Sequence, residues 1–190
     1  MLKESITYFE KKGPSNTEDT LKLAVAAARE LNIKNIVVAT NTGDTARMLV
    51  DHIPHEGIMI TVVTYAYGQK EPGQNPMSAE TRRYLMDKGC NLCTAAHALS
   101  GVERSISTTF GGVYPVEMIA HTLRMFGQGT KVCVEISAMA ADAGCVVSGE
   151  PVIAIGGSAK GADTAIVLRP EVSCRVLKTK IDRVICKPID

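Results

Sequence analysis

The chain has 190 residues, the size of one domain that buries roughly 70% of its unfolded surface. Lys and Arg number 21 against 20 Asp and Glu, and there are three Phe, five Tyr and no Trp. That near-neutral, aromatic-poor composition leaves no basic stripe for nucleic acid, and no run reaches the ~20 apolar residues of a membrane span.

Met1 to Lys12 is mixed and charged, without the apolar run of a leader, so a soluble cytoplasmic protein is expected. Asn16 then stands as an N-cap, with Asp19 three residues on to close a capping box. Leu21, Ala24, Val25, Ala28 and Leu31 mark one apolar face of a first helix. Ile36 to Ala39 reads as a strand, Asp44 to His52 as a helix stopped before Pro54, and Ile58 to Val63 as a strand covered on both faces. The Tyr65 to Pro76 loop carries Gly68, Pro72, Gly73 and Pro76, and loops of that length in compact domains are often functional.

Ser78 opens a third helix that Gly89 stops, followed by a strand near Asn91 to Ala95. Gly101 to Val113 is polar and reads as a connection, and Pro115 starts a helix whose buried side is Ile119, Leu123 and Phe126. Lys131 to Ala143 is a helix apolar almost all round, suited to the core or to a subunit interface. Val152 to Ile155, Thr164 to Leu168 and Val184 to Lys187 complete the strands, with a short one near Arg175 to Lys178. Alternating strands and helices indicate an α/β fold with a mostly parallel sheet. The helix-poor C-terminal quarter places an antiparallel strand at one edge.

Six cysteines include one Cys90-x-x-Cys93 pair with no second pair or spaced His to complete a zinc site. All six read as reduced core thiols, and no metal is expected.

Open parallel sheets bind ligands beyond the carboxyl ends of their strands. The richest such end is Thr40-Asn41-Thr42-Gly43-Asp44-Thr45, where a strand turns abruptly into a helix. Backbone N–H groups, three hydroxyls and a missing Cβ there suit a phosphate. An ordinary turn with Thr42 or Asp44 capping the helix fits the same residues, and the Asp44 carboxylate competes for the same positive field. Gly156-Gly157-Ser158-Ala159-Lys160-Gly161-Ala162-Asp163-Thr164 matches neither the Rossmann nor the Walker A spacing. His97 follows a strand and could bond a ligand or donate a proton; a histidine satisfied by its neighbours is the plain alternative. Glu135 and Asp142 lie among apolar residues, and a buried carboxylate there needs Arg, Lys, backbone N–H or a polar ligand.

Val38 to Ala46, with Gly156-Gly157 and Gly161-Ala162-Asp163-Thr164 downstream, resembles the C-terminal domain of pyruvate kinase, and more closely a family of stand-alone archaeal and bacterial proteins built on that domain. Thr17, Tyr67-Gly68, His97 to Gly101, Phe110-Gly111-Gly112, Gly129 to Ile136 and Met139 to Asp142 carry the resemblance across nearly the whole chain. It implies a three-layer α/β/α sandwich with a mixed sheet of five strands. It also implies bound flavin mononucleotide (FMN), with Thr40, Asn41, Thr42, Gly43 and Thr45 on the phosphate. Around the rest of the ligand stand Asp44, Tyr67, Gly68, His97, Phe110, Gly111, Gly112, Glu135, Gly156, Gly157, Lys160, Gly161, Asp163 and Thr164, a placement inferred from strand ends. The alternative is a non-catalytic sensor of a phosphorylated metabolite, and either reading goes with a homo-oligomer. Pyruvate kinase catalysis does not carry over, because that chemistry belongs to a separate barrel domain.

Overall fold

The computed structural model describes residues 5–69 and 71–189. The first four residues of the opening stretch and position 70 of the Tyr65 to Pro76 loop lie outside them. One sheet of seven strands runs β1 (Thr7–Phe9), β7 (Lys180–Pro188), β6 (Thr164–Arg169), β5 (Val152–Gly156), β2 (Asn35–Ala39), β3 (Met59–Thr64) and β4 (Asn91–Thr94) in spatial order. Only β6 opposes the others, pairing antiparallel with β5 and β7. The reversed strand is therefore interior, where an edge position was expected.

Alternate residues of each strand feed two cores, as the pleat requires. Ile36, Val38, Ile60, Val62, Ile153 and Ile155 face α1 (Thr17–Glu30), α2 (Asp44–His52) and α3 (Ala79–Asp87). Val37, Val63, Ala154, Ile166 and Leu168 face α6 (Gln128–Asp142), with Leu123 of α5 (Pro115–Arg124) packed behind. The result is the expected three-layer α/β/α sandwich. Because α6 is buried from Gly129 to Ala141 except Val132, its apolar surface is consumed by the core and leaves no broad face for a subunit contact.

Several local expectations are corrected. The sheet has seven strands where the resemblance implied five; β1, only three residues long, is too short to show a periodic pattern. Gly101 to Val113, read as a connection, contains the helix α4 (Val102–Phe110). None of its residues is buried, its apolar Val102, Ile106 and Phe110 included, and side chains tie it to α5. Glu103 accepts the Glu117 N–H at 3.1 Å, and the Ser107 hydroxyl donates to the Glu117 carboxylate at 2.7 Å. Phe126, expected on a buried side, is 62% exposed. Ser173–Lys178 is 3₁₀ helix and not a strand. The Asn16 side chain does not cap α1 but donates to the Lys11 carbonyl at 2.7 Å, whereas the Ser78 hydroxyl does cap α3, accepting the Thr81 N–H at 3.1 Å. Cys90, Cys93, Cys133 and Cys186 are core thiols, but Cys145 is half-buried and Cys174 is exposed.

Candidate functional site

From β2 the chain winds outward through β3 to β4, then returns across the sheet to place β5 on the other side of β2. Such a reversal of winding opens a crevice at the strand carboxyl ends. Here β2, β3, β4 and β5 are parallel, so their exits Thr40, Tyr65, His97 and Gly157 meet at one rim of the sheet. They line a cleft of about 800 Å³, and α6 supplies its other wall through Lys131, Val132, Glu135, Ile136 and Met139. Clefts of ~300–1,000 Å³ hold cofactor-sized ligands.

The turn after β2 is tightly built. Gly43 has φ +102°, the left-handed region, and a Cβ there would lie 2.4 Å from Thr81 Cγ2, so only glycine fits without displacement. The Thr40 hydroxyl accepts the Gly43 N–H at 3.1 Å. No side chain caps α2, so the capping alternative is not the arrangement found, and the helix N-terminus keeps its positive end. Thr42 and Asp44 engage each other, the hydroxyl donating to the carboxylate at 2.7 Å, and both are exposed. Asp44 thus holds one of the hydroxyls that a phosphate would use.

Beyond β3, Asn75 closes the base of the Tyr65 to Pro76 loop. Its amide donates to the Tyr65 carbonyl at 2.6 Å, and its oxygen accepts the Met77 N–H at 2.9 Å and the Thr64 hydroxyl at 3.2 Å. Tyr65 is thereby presented to the cleft, its ring centroid 5.2 Å from that of His97 at a 54° tilt. Burial holds the His97 imidazole below its ordinary pKa; Glu135 opposes that shift, while Lys131 and Arg104 add to it. Tyr67 points elsewhere, with Arg82 stacked 5.3 Å over its ring.

The α6 wall carries the most unusual chemistry. Glu135 is 4% exposed and Lys131 5%, and their charged atoms are 2.6 Å apart, one helical turn from each other. The second Glu135 oxygen accepts the Leu99 N–H at 3.0 Å, which fixes the His97 to Gly101 segment against α6. Two of the partners that a buried carboxylate called for, a lysine and a backbone N–H, are thus both present. Asp142, by contrast, is exposed and accepts the Ser173 N–H at 2.9 Å.

Of the candidate residues, Thr40, Asn41, Thr42, Asp44, Thr45, His97, Glu135, Gly157, Lys160 and Gly161 line the cleft. Gly43 shapes its turn from behind. Tyr67, Gly68, Phe110, Gly111, Gly112, Gly156, Asp163 and Thr164 do not line it. Asp163 is fully buried and accepts the Gly13 N–H at 3.0 Å, the Ser158 N–H at 3.2 Å and the Thr164 hydroxyl at 2.9 Å, so it braces the glycine loop from beneath. Phe110 is 79% exposed at the end of α4. Residues that sequence reasoning missed are Arg104, Arg124, Gln128 and Lys131. Lys131 had a signal, its i,i+4 spacing to Glu135 on an apolar helix; the two arginines reach the cleft only through α4 and α5, whose docking no periodicity encodes. Among the described residues no group of three or more His, Cys, Asp or Glu side chains could hold a metal ion, and no described helix is long and apolar enough to cross a membrane.

A family model described as pyruvate kinase, alpha/beta domain, matches residues 18–168. A solved pyruvate kinase from Cryptosporidium parvum aligns at 20% identity and a TM-score of 0.42, covering 85% of this chain and 24% of that one. The Cryptosporidium parvum pyruvate kinase in complex with ADP aligns at 20% identity and a TM-score of 0.38, covering 83% and 24%. The chain therefore spans about a quarter of the length of the kinases it matches.

Proposed function

This chain belongs to the pyruvate kinase alpha/beta domain family, and on that premise we propose that it binds a phosphate-bearing small molecule, FMN, in the cleft at the carboxyl ends of β2 to β5. The proposal is for a binding domain with no phosphotransfer of its own. The observation that carries it is the Thr40 to Thr45 turn, where a helix N-terminus without a side-chain cap opens into a cleft of cofactor size.

The donor set suits FMN along its length. Thr40, Thr45 and the α2 amides offer hydroxyl and N–H donors to the phosphate, with Lys160 on the facing glycine loop as a cation. Ser158 and Ser100 add hydroxyls to the lining, and Tyr65, His97, Val132, Ile136 and Met139 offer aromatic and apolar side chains to a ring. When bound, FMN would supply electron or hydride transfer. This chain's residues would anchor its phosphate, hold the ring and keep a neutral imidazole beside it.

The test is an absorbance scan of the chain purified without added cofactor, followed by thermal shift against FMN, sugar phosphates and nucleotides. A ligand at a hundred times its Kd raises stability by about 2.7 kcal/mol, which a melt resolves. A shift with FMN alone supports the proposal. A shift with sugar phosphates alone keeps the phosphate site and makes the chain a metabolite sensor; no shift with any phosphate compound removes the site altogether.

A further inference from the structure

The Lys131–Glu135 pair is set into the cleft wall rather than hidden behind it. Both residues line the cavity while remaining about 95% buried. Removing two charges from water costs several kcal/mol each, and an apolar pair of similar size would serve packing as well or better. Val132, Ile136 and Met139 on the same wall show that apolar side chains suit this surface. The charges are also held still. Glu135 is fixed on one oxygen by Leu99 N–H and on the other by Lys131. The Lys131 ammonium has three hydrogens, and among the described residues its hydrogen-bond partner is Glu135. Two donors therefore remain on a pre-oriented cation at the wall of a ligand-sized cavity.

We propose that Lys131 is a second ligand anchor, donating from the α6 wall to the exocyclic oxygen of a ring carbonyl on the same molecule whose phosphate sits at the Thr40 to Thr45 turn. This rests on the phosphate-site reading and narrows the ligand class. The molecule carries a phosphate at one point and a flat ring with an exocyclic oxygen at another. Its apolar ring faces meet Val132, Ile136 and Met139 on one side and Tyr65 and His97 on another. Glu135 is the positioning residue: it pairs with the Lys131 ammonium at 2.6 Å and aims it.

The decisive comparison is between the unmodified chain and the double variant Lys131→Met, Glu135→Gln. That variant removes both charges together and keeps a Gln oxygen for Leu99 N–H. Each is titrated with FMN and with inorganic phosphate. The expected result is about a tenfold or greater loss of FMN affinity, the scale of one charge-assisted hydrogen bond, with phosphate affinity unchanged within about twofold. Equal FMN affinity in the two proteins overturns the second anchor and leaves the phosphate site standing. An unmodified chain that binds phosphate but not FMN also overturns the anchor alone. Binding of neither probe overturns both readings.

Should the double variant fail to fold, the unmodified chain answers by NMR. The ¹⁵Nζ resonance of Lys131, slow to exchange because it is buried, is expected to shift with FMN and not with phosphate. An unmoved resonance at saturating FMN overturns the proposal.

Discussion

Replacing Asp44 by Asn should pull affinity and stability in opposite directions. Asp44 sits in the first turn of α2 and takes the Thr42 hydroxyl at 2.7 Å. A phosphate at that helix end would lie about one helical turn, ~5 Å, from the carboxylate. At the dielectric of water each unit of charge on the phosphate is repelled by about 0.8 kcal/mol, so a dianion loses about 1.7 kcal/mol, cut to about 1 kcal/mol by physiological salt. Asp44→Asn removes that repulsion and keeps a side chain that can bond Thr42. Affinity for FMN or inorganic phosphate should rise about five- to fifteenfold. The same change deletes a favourable charge–dipole contact worth about 0.3–1 kcal/mol, so the ligand-free melting point should fall by a few degrees. Isothermal titration and differential scanning calorimetry on the two proteins read both signs. Affinity that is unchanged or weaker in Asp44→Asn would refute a phosphate at the α2 N-terminus.

Two further outcomes follow from the geometry. His97 is held below its ordinary pKa by burial, so between that lowered value and about 6.5 the unfolded chain binds more protons than the folded one. Stability from this group is complete above about pH 6.5 and is lost as pH falls below it. Melting curves at pH 7.5 and 5.5 should show a larger acid loss in the unmodified chain than in His97→Asn, and equal losses would sink the assignment. Gly129→Ala should be severe, because its Cβ would lie 2.0 Å from the buried Thr164 Oγ1 and 2.4 Å from Thr164 Cβ. Overpacking of that kind costs about 3 kcal/mol, a fall of roughly 6–12 °C in the melting midpoint for a domain of this size. A shift under 2 °C would mean that α6 and β6 are not in the contact described.

The layered architecture was legible because β2, β3 and β5 are apolar runs and α1 keeps one apolar face, signals that burial on both sides of a sheet imposes directly. The Thr40 to Thr45 strand-to-helix turn was legible because a glycine among short polar residues after an apolar run marks such a turn. What escaped depends on contacts distant in sequence. α4 has Val102, Ile106 and Phe110 at i, i+4 spacing, but that stripe stays exposed, and the helix is tied to the next one by bonds to the Glu117 backbone and carboxylate. Asp163 looks from sequence like one more polar residue of a glycine loop, yet Gly13, 150 positions away, turns it inward as a brace. Phe110 and Phe126 fit apolar patterns, yet both lie outside the two cores and stay exposed. The Lys131 to Glu135 spacing was readable, whereas its opening onto the cleft follows only from how α6 lies across the sheet.

The brace beneath the glycine loop bears on where this domain can be cut. Gly13 N–H reaches Asp163, and the Thr17 hydroxyl takes the Ala162 N–H at 3.0 Å, both from residues ahead of the matched segment 18–168. β7, which flanks β6 along its length, follows that segment. A fragment trimmed to residues 18–168 would therefore bare a row of unpaired amides and carbonyls along β6 and leave the cleft-lining glycine loop without its support. The contacts that complete this sheet and brace its glycine loop thus come from both sides of the segment 18–168.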